Sequence, residues 1–145
     1  LIHAACLLHD VSWRAHPDYR AEVCFDNATR ANLGGLRHSE RVYLGLALLH
    51  RYKNKREGSR FEDMFALLNG TDQREAEVLG KAMRFGAMLW TLESVVKKAA
   101  LRWDGTRLEL ALAPEILAPY GEVARARFKS LAQALGAESF GLATG

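Results

Sequence analysis

The sequence predicts a mostly α-helical protein, with a helical bundle over residues 1–95 and a small unit of one β-hairpin and one helix over residues 96–145. Before residue 95, apolar residues recur at helical spacing; after it, they alternate around the turn dipeptide Asp104-Gly105. Hydrophobic residues make up 49% of the 145-residue chain and charged residues 26%. This composition is typical of a globular protein that can fill a core, so disorder is excluded for most of the chain.

Capping residues and helix breakers divide the bundle into its elements. Residues 1–9 are mostly apolar and begin without a capping residue, so we expect them to be the end of a buried helix that starts earlier in the native sequence. The later helices are predicted at residues 19–32, 39–52, 61–68, 74–92 (or on to Lys98) and 121–135. The residues expected to cap them are Asp18, Ser39 and either Thr71 or Asp72.

The last third of the chain shows a β-strand pattern. Apolar residues alternate on both sides of the Asp104-Gly105 turn, which predicts a two-stranded antiparallel hairpin. Pro114 and Pro119 are expected to bracket a loop or short turn, and the residues after Gly136 are expected to fray. A two-stranded hairpin is marginally stable alone, so this one must pack against the long helix or against further sequence.

The charge and the cysteines restrict the compartment and the partners. The net charge is +3 at pH 7, which is too small to argue for nucleic acid as a partner. Cys6 and Cys24 lie among apolar residues without a metal-binding spacing, so we expect both to be buried and reduced. No apolar run approaches the roughly 20 residues that cross a bilayer, and no secretory signal is present. We therefore predict a cytoplasmic protein that makes no membrane contact.

Structural roles are the more common interpretation of the isolated histidines and tryptophans. His3 lies on the apolar first helix and is expected in the core. His16 and His50 are each expected to be satisfied structural histidines rather than metal ligands. Trp13 fits either a lid or a packing residue. The tryptophans expected in the core from their apolar positions are Trp90 and Trp103.

The sharpest local feature is the pair His9-Asp10 at the end of an apolar helix. In a metal phosphohydrolase, adjacent imidazole and carboxylate groups can both bind a divalent cation, which polarises a phosphoryl group and lowers the pKa of its bound water. The alternative is a helix-terminal pair that bonds to backbone groups. The segment from Ala4 to Val11 resembles the signature of the HD superfamily of helical phosphohydrolases.

That resemblance implies two further metal ligands, a His about one helix upstream and an Asp on a later helix. The upstream His would precede residue 1, and Ala87 stands where the resemblance implies the Asp. Because Ala cannot bind a metal, we interpret His9 and Asp10 as a degenerate HD motif. We predict no metal ligand and no catalytic residue in this chain.

Three longer blocks, at residues 7–20, 36–44 and 49–52, resemble the C-terminal region of the exopolyphosphatase/guanosine-pentaphosphate phosphatase family. They resemble its α-proteobacterial branch in particular. The resemblance implies an HD-like helical fold for this region. It also implies that two actin-like domains precede the region in the parent chain, where they hold the phosphohydrolase centre and its Mg²⁺.

A second constellation is basic. Arg37, His38 and Arg41 lie at a predicted helix start, where free N–H groups and the helix dipole favour an anion. At the other end of that helix, five cations fall within ten residues: Arg51, Lys53, Lys55, Arg56 and Arg60. Linear polyphosphate carries about one negative charge per phosphate, so a track of Arg and Lys suits it. The residues that we predict to bind polyphosphate are Arg37, His38, Arg41, Arg51, Lys53 and Lys55; a solvated basic loop is the alternative.

The preferred hypothesis is an accessory region that binds the distal part of a polyphosphate chain and helps its parent enzyme to form a homodimer. The parent would release orthophosphate processively, and guanosine pentaphosphate is the other substrate that the resemblance implies. The expected partners are polyphosphate, the actin-like domains of the same chain and a second copy. The alternatives are an independent HD-type metal phosphohydrolase and a purely structural dimerisation module.

Overall fold

The structure, a computed structural model, describes residues 1–89, 99–118 and 120–143. Its elements are α1 (Ile2–Leu8), α2 (Pro17–Arg30), α3 (His38–Tyr52), α4 (Glu62–Phe65), α5 (Gly70–Leu89), β1 (Ala99–Trp103), β2 (Arg107–Leu112), a 3-10 helix (Pro114–Ile116), α6 (Glu122–Leu135) and β3 (Ser139–Leu142). The predicted class, mostly helical with a small β unit, is confirmed.

The chain divides into two compact units, called here unit 1 (Leu1–Met83) and unit 2 (Arg84–Gly145). The predicted domain boundary between residues 95 and 96 lies outside the described residues. So do the predicted helix extension to Lys98, the position of Trp90 and the bracketing residue Pro119.

The core of unit 1 is built around α3, whose residues from 42 to 50 are all buried. Helix α2 packs along α3, and its Phe25 stacks on Phe61 with 4.3 Å between the ring centroids. Gly45 makes room for this ring, because a Cβ at that position would lie 2.8 Å from Cδ2 of Phe25. The strongly apolar helix predicted for this segment is therefore confirmed, and it is the central element of the unit.

The starts of α2 and α3 differ from the predicted caps. His16 caps α2, since its Nδ1 accepts a hydrogen bond from the backbone N–H of Asp18 at 3.3 Å. Arg37 occupies the cap position of α3, and the Glu40 carboxylate accepts its backbone N–H at 2.7 Å. The predictions that Asp18 and Ser39 are caps are wrong, because each lies inside its helix.

Helix α5 also starts earlier than predicted. It begins at Gly70, and the side-chain Oδ1 of Asn69 accepts the backbone N–H of Asp72 at 2.8 Å. The predicted caps Thr71 and Asp72 are therefore wrong, because both lie within the first turn. The acceptor that reaches a free N–H group decides where a helix starts, and here Asn69 reaches it first.

Helix α1 is mostly exposed rather than buried. Ala5 is buried and packs against residues of α2 and α3, whereas Ile2 and Leu7 are 65% and 68% exposed. His3 and Cys6 are exposed as well, so the predictions that they are buried are wrong. A helix of seven residues that contacts its unit along one side leaves the rest of its surface in solvent.

Unit 2 contains the predicted hairpin. Strands β1 and β2 pair antiparallel, with Leu101 opposite Leu110 and Trp103 opposite Leu108. Gly105 has φ +99°, the left-handed conformation that this tight turn requires. Leu108 and Leu110 are buried, but Trp103 lies on the edge strand β1 and is 43% exposed. The predicted core position of Trp103 is therefore wrong.

The C-terminal tail is ordered as a third strand, so the predicted fraying is wrong for residues up to 142. Strand β3 pairs parallel with β2 and places Phe140 beside Leu108. The ring of Phe140 meets Phe128 of α6 edge-on at 5.6 Å between centroids, and Phe85 packs on the same ring at 5.2 Å. Contacts between these aromatic rings hold the tail in place.

Candidate anion-binding site

The six predicted polyphosphate-binding residues lie in two groups at opposite ends of α3. Arg37, His38 and Arg41 are at its amino end, and Arg51, Lys53 and Lys55 are at its carboxyl end. A helix rises about 1.5 Å per residue, so roughly 20 Å separate the two groups along the axis. The structure does not bring all six residues together, and each end must be judged by its own surroundings.

Carboxylates and a carbonyl surround the cations at the amino end of α3. Arg37 has an exposed side chain, but its Nε lies 3.7 Å from the Glu40 carboxylate. Nη2 of Arg41 donates to the carbonyl of Leu33 at 3.2 Å. A cavity of about 530 Å³ opens beside this helix end. The charged residues that line it are Arg37, Glu40, Asp72 and Glu75, three carboxylates against one guanidinium. An anion at this end of α3 would compete with these carboxylates, and the binding role of Arg37, His38 and Arg41 stays a prediction.

Two arginines lie close to one aromatic ring at the carboxyl end of α3. The Cζ of Arg51 lies 4.7 Å from the centroid of the Tyr52 ring, and the Cζ of Arg20 lies 5.6 Å from it. Nη2 of Arg20 also donates to the carbonyls of Trp13 at 2.8 Å and Ala15 at 3.1 Å. Arg20 was not among the predicted residues, because nothing in the spacing of residues 20 and 51 indicates that both contact the same ring.

Part of the basic loop after α3 is neutralised by α2. Nζ of Lys53 lies 3.8 Å from the Glu22 carboxylate. Arg60 lies 3.4 Å from Glu22 and 2.5 Å from Asp26. Lys55 is exposed. Arg60 is therefore engaged by carboxylates of α2 rather than simply solvated, whereas Arg51 lies against the Tyr52 ring.

Arg56 has a structural role as well. Its Nη1 donates to Oε1 of Gln73 at 2.5 Å, and its Cζ lies 5.7 Å from the ring centroid of Phe65. Nε2 of Gln73 in turn donates to the carbonyls of Phe65 and Leu68 at 2.9 and 3.0 Å. This network ties the basic loop to α4 and α5, so the guanidinium of Arg56 is already engaged within the protein.

The pair His9-Asp10 lies just beyond α1, and its surroundings fit a structural role. The carbonyl of His9 accepts a hydrogen bond of 2.5 Å from the hydroxyl of Tyr52. The carboxylate of Asp10 is exposed. Within residues 1–89, 99–118 and 120–143, no group of three or more His, Cys, Asp and Glu side chains could hold a metal ion. Because catalytic metal sites commonly use three protein ligands, these residues do not fit one.

Burial perturbs the pKa values of His50 and Cys24, two side chains in the core of unit 1. His50 is only 2% exposed, and burial lowers its pKa to about 4. Burial likewise raises the pKa of the Cys24 thiol, although Ser12 and the nearby charges of Arg20 and Arg51 oppose the change. Neither side chain is accessible enough to act as a ligand or nucleophile, so both fill structural positions.

No helix in the described part of the chain is long and apolar enough to cross a membrane. No match was found among the curated proteins. The family described as "Exopolyphosphatase, C-terminal" matches residues 1–140, which is nearly the whole chain. The three blocks that carried the sequence resemblance, at residues 7–20, 36–44 and 49–52, lie within this match. The chain therefore belongs to the exopolyphosphatase C-terminal family.

Proposed function

We propose that the chain is an accessory region of an exopolyphosphatase that binds the distal part of a linear polyphosphate chain. The observation that supports this proposal is the pair of guanidinium groups of Arg20 and Arg51. Their Cζ atoms lie 5.6 and 4.7 Å from the centroid of the Tyr52 ring, at the carboxyl end of α3. Guanidinium groups form bidentate, charge-assisted hydrogen bonds with phosphate oxygens. Membership in the exopolyphosphatase C-terminal family supports polyphosphate as the anion.

The chemistry of the parent enzyme is part of the same proposal. Water would attack the terminal phosphoryl group and release orthophosphate, at a Mg²⁺-dependent centre in actin-like domains outside this region. Guanosine pentaphosphate is a second proposed substrate, and the α-proteobacterial branch and the cytoplasm are the proposed origin and location. Because Ala87 replaces the Asp of an HD site, we propose that this region alone hydrolyses nothing.

A contribution to homodimer formation is the second proposed role. It is supported by the edge strand β1, on which Leu101 and Trp103 are 49% and 43% exposed. An edge strand offers free N–H and carbonyl groups to a second chain, and exposed apolar side chains favour such an association. Sedimentation of the protein over a range of concentrations would measure it; a strict monomer would contradict this role.

Binding of long-chain polyphosphate at several salt concentrations tests the main proposal. We expect binding at low ionic strength and a steep, linear fall of log K with log salt concentration, because counterions are released when cations contact phosphates. Orthophosphate release should stay at background with Mg²⁺ or Mn²⁺. Absence of binding at low salt would refute the accessory role, and robust metal-dependent release would support the independent phosphohydrolase instead.

A further inference from the structure

The residues around Tyr52 form a surface that the basic sequence pattern does not indicate. We name it the Tyr52 cluster and define it as Arg14, Arg20, Arg51 and Tyr52. We propose that this cluster binds consecutive inner phosphate units of a linear polyphosphate, and that the amino end of α3 does not. The inference rests on the proposed function and specifies where on unit 1 the anion binds.

The three arginines are connected through a continuous series of contacts. Arg51 and Arg20 both lie against the Tyr52 ring, at 4.7 and 5.6 Å. Arg20 also binds the carbonyl of Trp13 at 2.8 Å, and the Cζ of Arg14 lies 5.0 Å from the centroid of the Trp13 ring. Residues from the α1–α2 loop, from α2 and from α3 therefore converge on one surface.

This surface is held in place by hydrogen bonds to backbone groups. The hydroxyl of Tyr52 donates to the carbonyl of His9 at 2.5 Å, at the start of the α1–α2 loop. Arg20 donates to the carbonyl of Ala15 at 3.1 Å, near the end of the same loop. Because the loop is fixed at both ends, Arg14 has a defined position relative to Arg51, which reduces the entropy lost when a ligand binds.

The guanidinium groups of the cluster form no ion pair in the described part of the chain, although the Asp10 carboxylate acts on Tyr52 without one. No ion pair involves Arg14, Arg20 or Arg51 in residues 1–89, 99–118 and 120–143. A guanidinium has five N–H donors. Nη2 of Arg20 is bonded to backbone carbonyls and its Nε is buried, so Arg20 offers fewer donors to an anion than Arg14 and Arg51 do. Donors and positive charge therefore remain for phosphate oxygens, in contrast with Arg37, Arg56 and Arg60.

The cluster fits a chain of phosphates better than a single phosphate. The three guanidinium groups come from two helices and a loop, so they can offer separate contacts to different phosphate units. Successive units of a linear polyphosphate each present oxygens to a different guanidinium. Lys53 lies next along the chain from Tyr52, but its ion pair with Glu22 at 3.8 Å competes with any anion there. We therefore assign Glu22 the role of an internal competitor at the rim of the cluster.

Affinity and salt dependence of the purified protein, measured with orthophosphate, tripolyphosphate and long-chain polyphosphate, test this assignment. The variants Arg14→Gln and Arg51→Gln should each weaken long-chain binding roughly tenfold at low salt. Each should also lower the salt slope by about 1, because one phosphate contact is lost. Arg51→Lys keeps the charge but loses the bidentate geometry, so it should recover the slope and only part of the affinity.

Two further variants serve as a matched control and as a gain of function. Arg30→Gln also removes one positive charge, from the exposed end of α2 where Arg30 pairs with Asp26 at 3.2 Å, and it should leave the salt slope unchanged. Arg37→Gln should behave in the same way. Glu22→Gln removes the competing carboxylate and should tighten binding roughly threefold.

Several results would overturn the assignment and leave the proposed function intact. One is long-chain binding by Arg14→Gln and Arg51→Gln that equals that of Arg30→Gln. Another is a larger loss for Arg37→Gln than for Arg51→Gln. Orthophosphate binding as tight as that of tripolyphosphate would exclude a site for linked phosphates. If the unaltered protein binds none of the three at low salt, the proposed function and this inference both fail. Thermal unfolding of each variant confirms that it is folded.

Discussion

Replacing His50 with Leu is expected to remove a large part of the acid sensitivity of unit 1. His50 lies in the buried half of α3 and is 2% exposed, and its Nδ1 has no hydrogen-bond partner among the described residues. Burial lowers the pKa of the imidazole from 6.5 to about 4, and the positive charges of Lys81 and Arg56 act in the same direction while Glu77 opposes them. Folding therefore favours the neutral ring.

The sign and size of the effect follow from the two pKa values. Between pH 6.5 and about 4, the unfolded chain binds a proton that the folded chain does not, so the free energy of unfolding falls as the pH falls. Each pH unit in this window is worth about 1.4 kcal/mol. From pH 7 to below pH 4, His50 should remove about 3 kcal/mol of stability.

Urea unfolding at several pH values between 7 and 4 measures this change for the protein and for His50→Leu. The free-energy difference between the two should move by about 3 kcal/mol across the window. His3→Ala removes an exposed imidazole and should leave the pH dependence as it is in the unaltered protein. Parallel loss of stability in the protein and in His50→Leu would show that His50 is not the group responsible.

Three shorter predictions concern packing and the cysteines. Gly80→Ala should destabilise unit 1 by about 2 kcal/mol in urea unfolding, because its Cβ would lie 2.5 Å from Cβ of His50; an unchanged midpoint would contradict the close approach of α3 and α5. Phe140→Ala should lower the stability of unit 2 by about 2–3 kcal/mol in thermal unfolding, because it removes the ring that packs edge-on against the core of the unit; wild-type stability would show that β3 contributes little. Thiol titration should find two free cysteines in denatured protein, and in native protein Cys6 should react much faster than Cys24, since only Cys6 is exposed; equal rates would contradict the buried position of Cys24.

Features determined by local sequence could be predicted, and the reasons are physical. The apolar repeat of α3 and the Asp104-Gly105 turn involve residues close in sequence, so their periodicity and turn chemistry are visible in the chain itself. Strand β3 could not be found in this way, because its parallel pairing with β2 depends on residues about 30 positions away. Its four residues alternate small or polar with apolar side chains, but a run this short does not distinguish a strand from a frayed tail.

The candidate site shows the same division between local and non-local information. The sequence identified Arg51 and Lys53 as cations of one segment, but it could not show which of them meet carboxylates. Glu22 lies some thirty residues before Lys53 and pairs with it. Arg20 is similarly distant from Arg51 and shares the Tyr52 ring with it. A count of positive residues therefore overestimated the charge that is free of carboxylates and missed Arg20, which we propose as part of the binding surface.

The two ends of α3 show why the surroundings of a charge matter more than the helix dipole. At the amino end the dipole favours an anion by about 0.3–1 kcal/mol, yet Glu40 already occupies Arg37 there. At the carboxyl end the dipole opposes an anion by a similar amount, but Arg51 and Arg20 remain free of carboxylates in the described part of the chain. In the proposed site, two guanidinium groups without ion pairs would outweigh one helix terminus, because each charge-assisted contact contributes about 1.5–3 kcal/mol. The hydrogen bond from Tyr52 to His9 also connects the degenerate His-Asp pair with this surface. This contact uses the main-chain carbonyl of His9, so the backbone at this position, rather than the imidazole or the Asp10 carboxylate, fixes the start of the loop that carries Arg14.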